Sequence, residues 1–418
     1  MSNTLQEKIV ANIQNAQELE LLYRKNGSAF SNAFNTVYNE ISQYPLAQGW
    51  NERLNYKQDD NFLFSKQDLI FAAITIFISG WIAKLPDLMG WNQDLFMSRN
   101  ICFIFFEIIL LFFAWKEKAS LKKIAISVGI FLLACIYINL LPKDDNSQTI
   151  LLSCIHLPIF LWSMVGFIFT GNQYNNPAKR IGFLRFNGDL LVMSAVISLS
   201  GALFTAITMN LFLLIGINIQ QFFANYFVRW ALPAIPIVST ILVRQNPQLV
   251  GKVSPIIAKI FSPLVFIMLT VFLIAVISTG KDPYNDREYL LLFNAMLIGV
   301  MAIILFSLTE VSKGITSKWH LMLLLALSLL TIIDDGIAIS AIMYRLSAFG
   351  VSPNRIAVLG SNVLILLNLV GVSYQLFRVL KFNQEITSVE KTIAFFLPVY
   401  SAWAAVVAFI LPFLFHMK

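Results

Sequence analysis

The pattern of apolar and polar positions changes character once along the chain. From residue 1 to about residue 67 polar side chains dominate, and the apolar ones recur at helical spacing, with Phe30, Phe34, Val37, Tyr38 and Ile41 on one face. Gly27 and Pro45 punctuate this stretch, and Thr4 with Glu7 fits the S/T-x-x-E capping pattern. It reads as two or three short amphipathic helices that pack on one another or lie against a membrane surface. From residue 68 the pattern becomes a series of continuous apolar runs of roughly 17 to 25 residues, the length a helix needs to cross about 30 Å of hydrocarbon. They fall near 68–86, 100–115, 123–141, 149–170, 189–216, 228–244, 258–279, 289–309, 319–344, 354–377 and 392–415. Continuous rather than alternating hydrophobicity excludes a β-barrel. The expected fold is an all-α polytopic membrane protein of about eleven spans, within a range of ten to twelve. Its regions are a cytoplasmic amphipathic segment, 1–67, and a transmembrane domain, 68–418.

Composition agrees with this frame. Of the 418 residues 57% are hydrophobic and 13% charged, against about half and about a quarter in soluble domains, and the mean hydropathy is +0.71. The polar first segment lacks the apolar core of a cleavable signal, so insertion is expected to start from the first span. Cys102, Cys135 and Cys154 all fall in apolar runs; an odd count without metal-ligand spacing makes them small buried hydrophobes, with no disulfide or metal site. The net charge of +7 would point to nucleic acid in a soluble protein. Here the bilayer is the expected partner, because the basic residues sit in short loops.

Those loops alternate. "WKEKASLKK", then Lys179, Arg180 and Arg185, then Arg244, Lys252 and Lys259, then Lys313 and Lys318, then Arg378, Lys381 and Lys391 occupy every second connection. The connections between them, "KDDNSQT" and "GKDPYNDRE", are acidic or neutral. The positive-inside rule then puts the N-terminus in the cytoplasm and the C-terminus outside. "YRLSAFGVSPNR" breaks the alternation, since it carries Arg345 and Arg355 with no acid on the outer side. Either a neighbouring segment is re-entrant, the last one with Pro398 and Pro412 being the first suspect, or the arginines serve a purpose such as pairing with acids or holding an anionic headgroup.

Charges at membrane depth cost roughly 2.5 to 3.5 kcal/mol each on insertion scales, so the few present are the candidate chemistry. Asp334 and Asp335 stand mid-span in the ninth segment, Glu107 mid-span in the second, His156 in the fourth, and Arg229 just before Pro233 and Pro236. Adjacent helical residues project about 100° apart, so the two aspartates cannot face one neighbour. A continuous helix would make them a proton-relay site; a break at Gly336 would instead put them at an interface, in the manner of discontinuous transporter helices. Glu107 needs a partner across helices, with His156 or Arg229 as candidates. His156, two residues before Pro158, is placed to donate to a carbonyl freed by the proline. Arg229 is expected to snorkel, and Asn139, Asn210, Asn294, Asn362 and Asn368 to form interhelical hydrogen bonds.

No phosphate loop, zinc-protease helix, serine elbow or metal-holding acidic cluster is present in the sequence, which disfavours an enzyme and implies no cofactor. "MYRLSAFGVSPNRIAVLGSNVLILLNL", Met343 to Leu369, resembles a recurring stretch of an uncharacterised bacterial multi-pass membrane family known only as domain of unknown function 4153. In that family a helix ends in a Tyr-Arg-Ile-like turn and Gly-Leu-Thr-Pro-Asn-Arg opens the next span. The matching positions are Tyr344, Arg345, Gly350, Val351, Ser352, Pro353, Asn354 and Arg355. The resemblance covers about the C-terminal half; Ser352 for the usual Thr and the Asp334–Asp335 pair depart from it. It implies a bacterial inner-membrane location and no activity. From the residues alone the turn is a helix start, with Ser352 as N-cap, Pro353 first in the helix and Gly350 reversing the chain.

The leading functional expectation is a transporter of a small or lipid-like ligand, proton-linked through Asp334, Asp335 and Glu107, with Arg345 and Arg355 completing the polar site and His156, Arg229, Tyr344 and Asn354 in secondary places. The alternatives are a scaffold docking a cytoplasmic protein through residues 1–67, and a membrane enzyme acting on lipid or glycan.

Overall fold

The computed structural model describes the chain apart from residues 1, 56–64, 145, 215–216, 246–252, 280–283, 285–286, 312–317 and 418. Lys252, Lys313 and most of "GKDPYNDRE" therefore lie outside the described residues. The chain divides into two compact units, Met1–Phe62 and Leu63–Lys418.

Among its described residues the first unit holds four helices: α1 Ser2–Ala11, α2 Ala16–Lys25, α3 Gly27–Ile41 and α4 Pro45–Asn55. Asparagines set two of their starts. The side chain of Asn15 accepts from the backbone N–H of Gln17 and Glu18, and that of Asn26 from Ala29, satisfying donors that a helix start leaves open. Thr4 is not a cap, because α1 already begins at Ser2. The amphipathic faces close on each other, burying Ile9, Leu19, Phe30, Phe34 and Ile41. The ring of Phe30 lies 5.8 Å from that of Tyr23 and 5.1 Å from that of Trp50. Outside this core Glu20 accepts from Arg24 at 3.0 Å and Arg53 at 2.8 Å.

Among its described residues the second unit is built of helices joined by short connections, with no strand. Its elements are α5 Lys66–Met89, α6 Gln93–Lys116, α7 Leu121–Leu140, α8 Gln148–Phe169, α9 Pro177–Leu214, α10 Gln220–Gln245, α11 Val253–Thr279, α12 Arg287–Val311, α13 Lys318–Phe349, α14 Pro353–Phe382 and α15 Thr387–Leu414. Among the described residues nine of these are long and apolar enough to cross a membrane, and the shorter apolar stretches Lys259–Ile274 and Asn294–Thr309 lie within α11 and α12. Each expected span thus coincides with a helix. One apolar core is built from α5 to α8 and α10, a second from α11 to α14, and α9 and α15 contribute to both.

Two devices join the helices. Small hydroxyls and amides pair across them: Ser194 with Ser239 at 3.0 Å, Ser262 with Ser307 and Ser328 with Ser373 at 2.8 Å, and Asn100 with Asn139 at 3.0 and 2.7 Å. Glycines also seat aromatic rings from a neighbouring helix: Gly80 under Trp230, Gly166 under Phe183, Gly188 under Phe306 and Gly360 under Trp403. A Cβ at any of these glycines would overlap its ring. Without a hydrophobic driving force between helices in lipid, close packing and polar pairs carry association.

The contacts also fix which helix ends lie together. Asp68 receives Lys116 at 2.8 Å, Arg244 pairs with Glu117, and Arg185 reaches both Glu390 at 2.5 Å and the carbonyl of Thr309 at 2.7 Å. The basic connections therefore share one end of the bundle. The start of α8 meets the α13–α14 turn at the opposite end, around one cavity lined by Gln148, Arg345 and Arg355. α15 is continuous past Pro398 and includes Pro412, with one π-turn at Val406–Ile410. No shift of parity accounts for Arg345 and Arg355; they do sit at the end opposite the other basic loops.

A fragment of residues 1–62 is expected to fold alone by circular dichroism. Phe30→Ala, which deletes a fully buried ring, should cost it about 3–5 kcal/mol, enough to unfold so small a unit. Hydrogen bonds from Arg24 and then Arg53 hold the Glu20 carboxyl below its ordinary range. Its contribution is complete above about pH 5 and disappears as pH falls through the lowered folded value, so Glu20→Gln should flatten that part of the acid melt. In the full chain Gly360→Ala must push Trp403 aside, and overpacking of this kind costs about 1–3 kcal/mol. A lowered detergent melting temperature with altered Trp fluorescence is the expected readout, and an unchanged melt would show the ring is not seated there.

Candidate functional site

α13 runs unbroken for 32 residues, so the break at Gly336 does not occur. Nothing lies within 4 Å of where a Gly336 Cβ would stand, and a single glycine costs a helix only about 1 kcal/mol, too little to break a helix of this length. Asp334 and Asp335 are consequently mid-helix. Both are 0% exposed, and among the described residues none of their four carboxyl oxygens has a hydrogen-bond partner.

Their neighbours differ, as the 100° between them requires. Asp335 lies two turns from Ser328, on the face whose serine bonds Ser373 of α14. Counting seven residues on from Ser328 and five back from Ser373 brings Asp335 and Asn368 to within about 3 Å of the same depth. Asn368 donates to the Tyr400 hydroxyl at 2.9 Å, while its own side-chain oxygen is buried without a partner. Tyr400 lies within electrostatic reach of Asp335. Asp334 shares its face with Ala338, one turn on, which packs against Leu297 of α12. One acid thus points toward a polar seam with α14 and α15, the other toward an apolar contact with α12.

The arginines of the turn stand elsewhere. Asp335 and Arg345 are ten residues apart on one straight helix, about 15 Å along its axis, so acids and arginines do not form one cluster. Gly350, at φ 75°, reverses the chain, and Ser352 caps α14 by accepting from the Arg355 N–H at 3.4 Å. Arg355 donates to the last carbonyl of α13, that of Phe349 at 3.0 Å, and to that of Gly350 just beyond it at 2.5 Å. Asn354 lines the same cavity as both arginines. Tyr344 does not; it is exposed and sets its ring 5.6 Å from Tyr284.

Glu107 occupies a third place. It lines a cavity of about 780 Å³ between α5, α6 and α7, together with Arg99, Asn100, Cys135, Asn139 and Lys143. Among the described residues it has no hydrogen bond or ion pair, so neither expected partner reaches it. Arg229 pairs with Asp87 and Gln93 instead. His156 Nδ1 lies 2.9 Å from the carbonyl of Leu152, one turn back on its own helix, rather than at the carbonyl that Pro158 frees. Three buried or half-buried polar side chains escaped the sequence reading. Arg99 gathers the carbonyls of Ile138, Leu141 and Pro142 at the end of α7, Asp68 holds Lys116, and Gln148 faces the arginine turn. Only their position at the edges of apolar runs marked them. Among the described residues no three His, Cys, Asp or Glu side chains converge as a metal site would require.

Compared with protein-family models, curated proteins and solved structures, the chain matches none.

Proposed function

We propose that this multi-pass membrane protein is a proton-linked transporter of a small or lipid-like ligand, with Asp334 and Asp335 as its proton-carrying groups. The observation that carries the reading is a pair of carboxyls, mid-helix and sealed from solvent, with no hydrogen-bond partner for any oxygen among the described residues. An isolated charge there is so costly that a carboxyl neutralises rather than stay ionised. A conformation that admits water along the α13–α14 seam removes that cost and releases the proton. Asn368 and Tyr400, at the depth of Asp335, supply the polar groups such an opening would hydrate. The kinship with the bacterial multi-pass family, the inner-membrane location and the cytoplasmic N-terminus belong to the same proposal and are supported by the Tyr344–Arg355 turn and by the charge alternation. A second reading, in which residues 1–67 dock a cytoplasmic partner, has its support in the separate core of the N-terminal unit.

The combined replacement Asp334→Asn and Asp335→Asn tests the first reading. Asn mimics a neutral carboxyl in size and polarity, so the melting temperature of the purified protein should move little; removing one member of a buried ion pair would cost about 3–5 kcal/mol. In proteoliposomes with a trapped pH-sensitive dye, ligand-driven proton movement should disappear in the same protein. Wild-type proton movement in the double variant overturns the proposal. Deletion of residues 1–60 separates the second reading, which expects loss of partner binding with flux retained.

A further inference from the structure

We propose that the cavity at the α13–α14 turn is a binding site for a phosphate-type oxyanion carried on an amphiphile, as in the headgroup of an anionic phospholipid. The site is separate from the aspartate pair and stands whether or not the protein moves protons.

The cavity, of about 460 Å³, is lined on its polar side by Gln148, Asn294, Arg345, Ser352, Asn354 and Arg355, and none of its lining residues is acidic. Among the described residues neither arginine has an ion-pair partner. Both guanidinium groups are held by one ring, their carbons 5.9 Å and 5.7 Å from the centre of Phe349. Two like charges thereby border one cavity, and among the described residues neither has an acid beside it. Arg355 is anchored by the carbonyls of Phe349 and Gly350. Arg345 is not anchored in this way: its Nη1 is buried and has no hydrogen-bond partner, and the same holds for the side-chain oxygen of Gln148. A planar guanidinium is suited to paired hydrogen bonds with phosphate oxygens, and a glutamine amide can turn its NH2 toward the same group.

Backbone adds to this charge. Gln148 opens α8, just after its cap Ser147, and Asn354 and Arg355 stand in the first turn of α14. Two helix starts therefore bring their positive dipole ends to one cavity, the arrangement that favours an anion. The other wall decides what the anion is attached to. It consists of Leu151, Leu152, Ile155, Ile342 and Val358, and Leu151 and Ile155 are 58% and 51% exposed along the outer face of α8. A soluble ion needs no such wall; an acyl chain running down α8 from a bound headgroup would cover it. The position of these arginines at the end of the bundle opposite the other basic loops then has a reason, since they serve a ligand and not orientation.

The test uses the full-length protein in neutral detergent. Native mass spectrometry would titrate a phosphatidylglycerol against a phosphatidylcholine, and inorganic phosphate would be added in parallel thermal melts. Wild type should bind the anionic lipid more tightly than the zwitterionic one, and Arg345→Gln should weaken the anionic lipid about tenfold, the size of one charge-assisted contact. Arg345→Lys should fall between the two, because it keeps the charge but loses the fork, and it serves if Arg345→Gln folds poorly. Lys391→Gln, at the far end of the bundle, should bind as wild type. Stabilisation by inorganic phosphate that is lost in Arg345→Gln identifies a soluble oxyanion as the ligand; a response to lipid alone identifies the headgroup. Equal binding of lipid and phosphate by wild type and Arg345→Gln overturns the site.

Discussion

In a bundle whose surroundings offer no water, every polar group inside must be answered by another helix or by its own backbone. This constraint accounts for most of what joins the helices of the second unit. Ser194, Ser262 and Ser328 each meet a serine on the next helix, and Asn100 meets Asn139. Thr75, Thr240 and Thr331 return their hydroxyls to carbonyls one turn back. Arg99 turns its charge onto the carbonyl end of α7, where a helix leaves acceptors unused. Against that background Asp334 and Asp335 stand out, because they are fully buried and, among the described residues, neither oxygen of either carboxyl is answered; Arg345, Gln148, Ser127 and Asn187 each leave a single buried atom without a partner.

How far the sequence spoke depended on the range of the interaction. The spans were legible because crossing a bilayer is a local requirement, met by each apolar run separately, and each run became a helix. The turn before α14 was legible for the same reason: Gly350, Ser352 and Pro353 act on their own backbone. In the N-terminal region the pattern predicts two or three helices with Thr4 as a cap, whereas the described residues form four, because the lone asparagines 15 and 26 that cap α2 and α3 carry no motif as distinct as Thr4 with Glu7. The state of "DDG" was not a local matter at all. A glycine after two acids permits a break, yet α13 runs through it as one helix.

Pairings between distant segments were the least legible part. Glu107 had two basic candidates in the sequence, yet Arg229 is drawn to Asp87 at the end of α5 and His156 to its own helix. Nothing in the order of residues tells which helices become neighbours, and a carboxylate partner 142 positions away is invisible without that. The charge alternation was the exception. Although it is a long-range property, it reports on one variable, the end of the bundle to which each connection belongs.

That variable gives the arginines of the turn their meaning. Three basic residues at the other end have an acid beside them, Lys116 with Asp68, Arg244 with Glu117 and Arg185 with Glu390. Among the described residues Arg345 and Arg355 have none, and they share one helix hairpin with the unanswered acids. Because α13 has no break between Asp335 and Arg345, its last three turns form a stiff connection. A displacement that opened the seam around Asp335 would carry Arg345 with it, and an anion held by Arg345 and Arg355 together would resist any movement that drew α13 away from the start of α14. The two groups of charges are separate in space, but one rigid helix makes the position of each depend on the other.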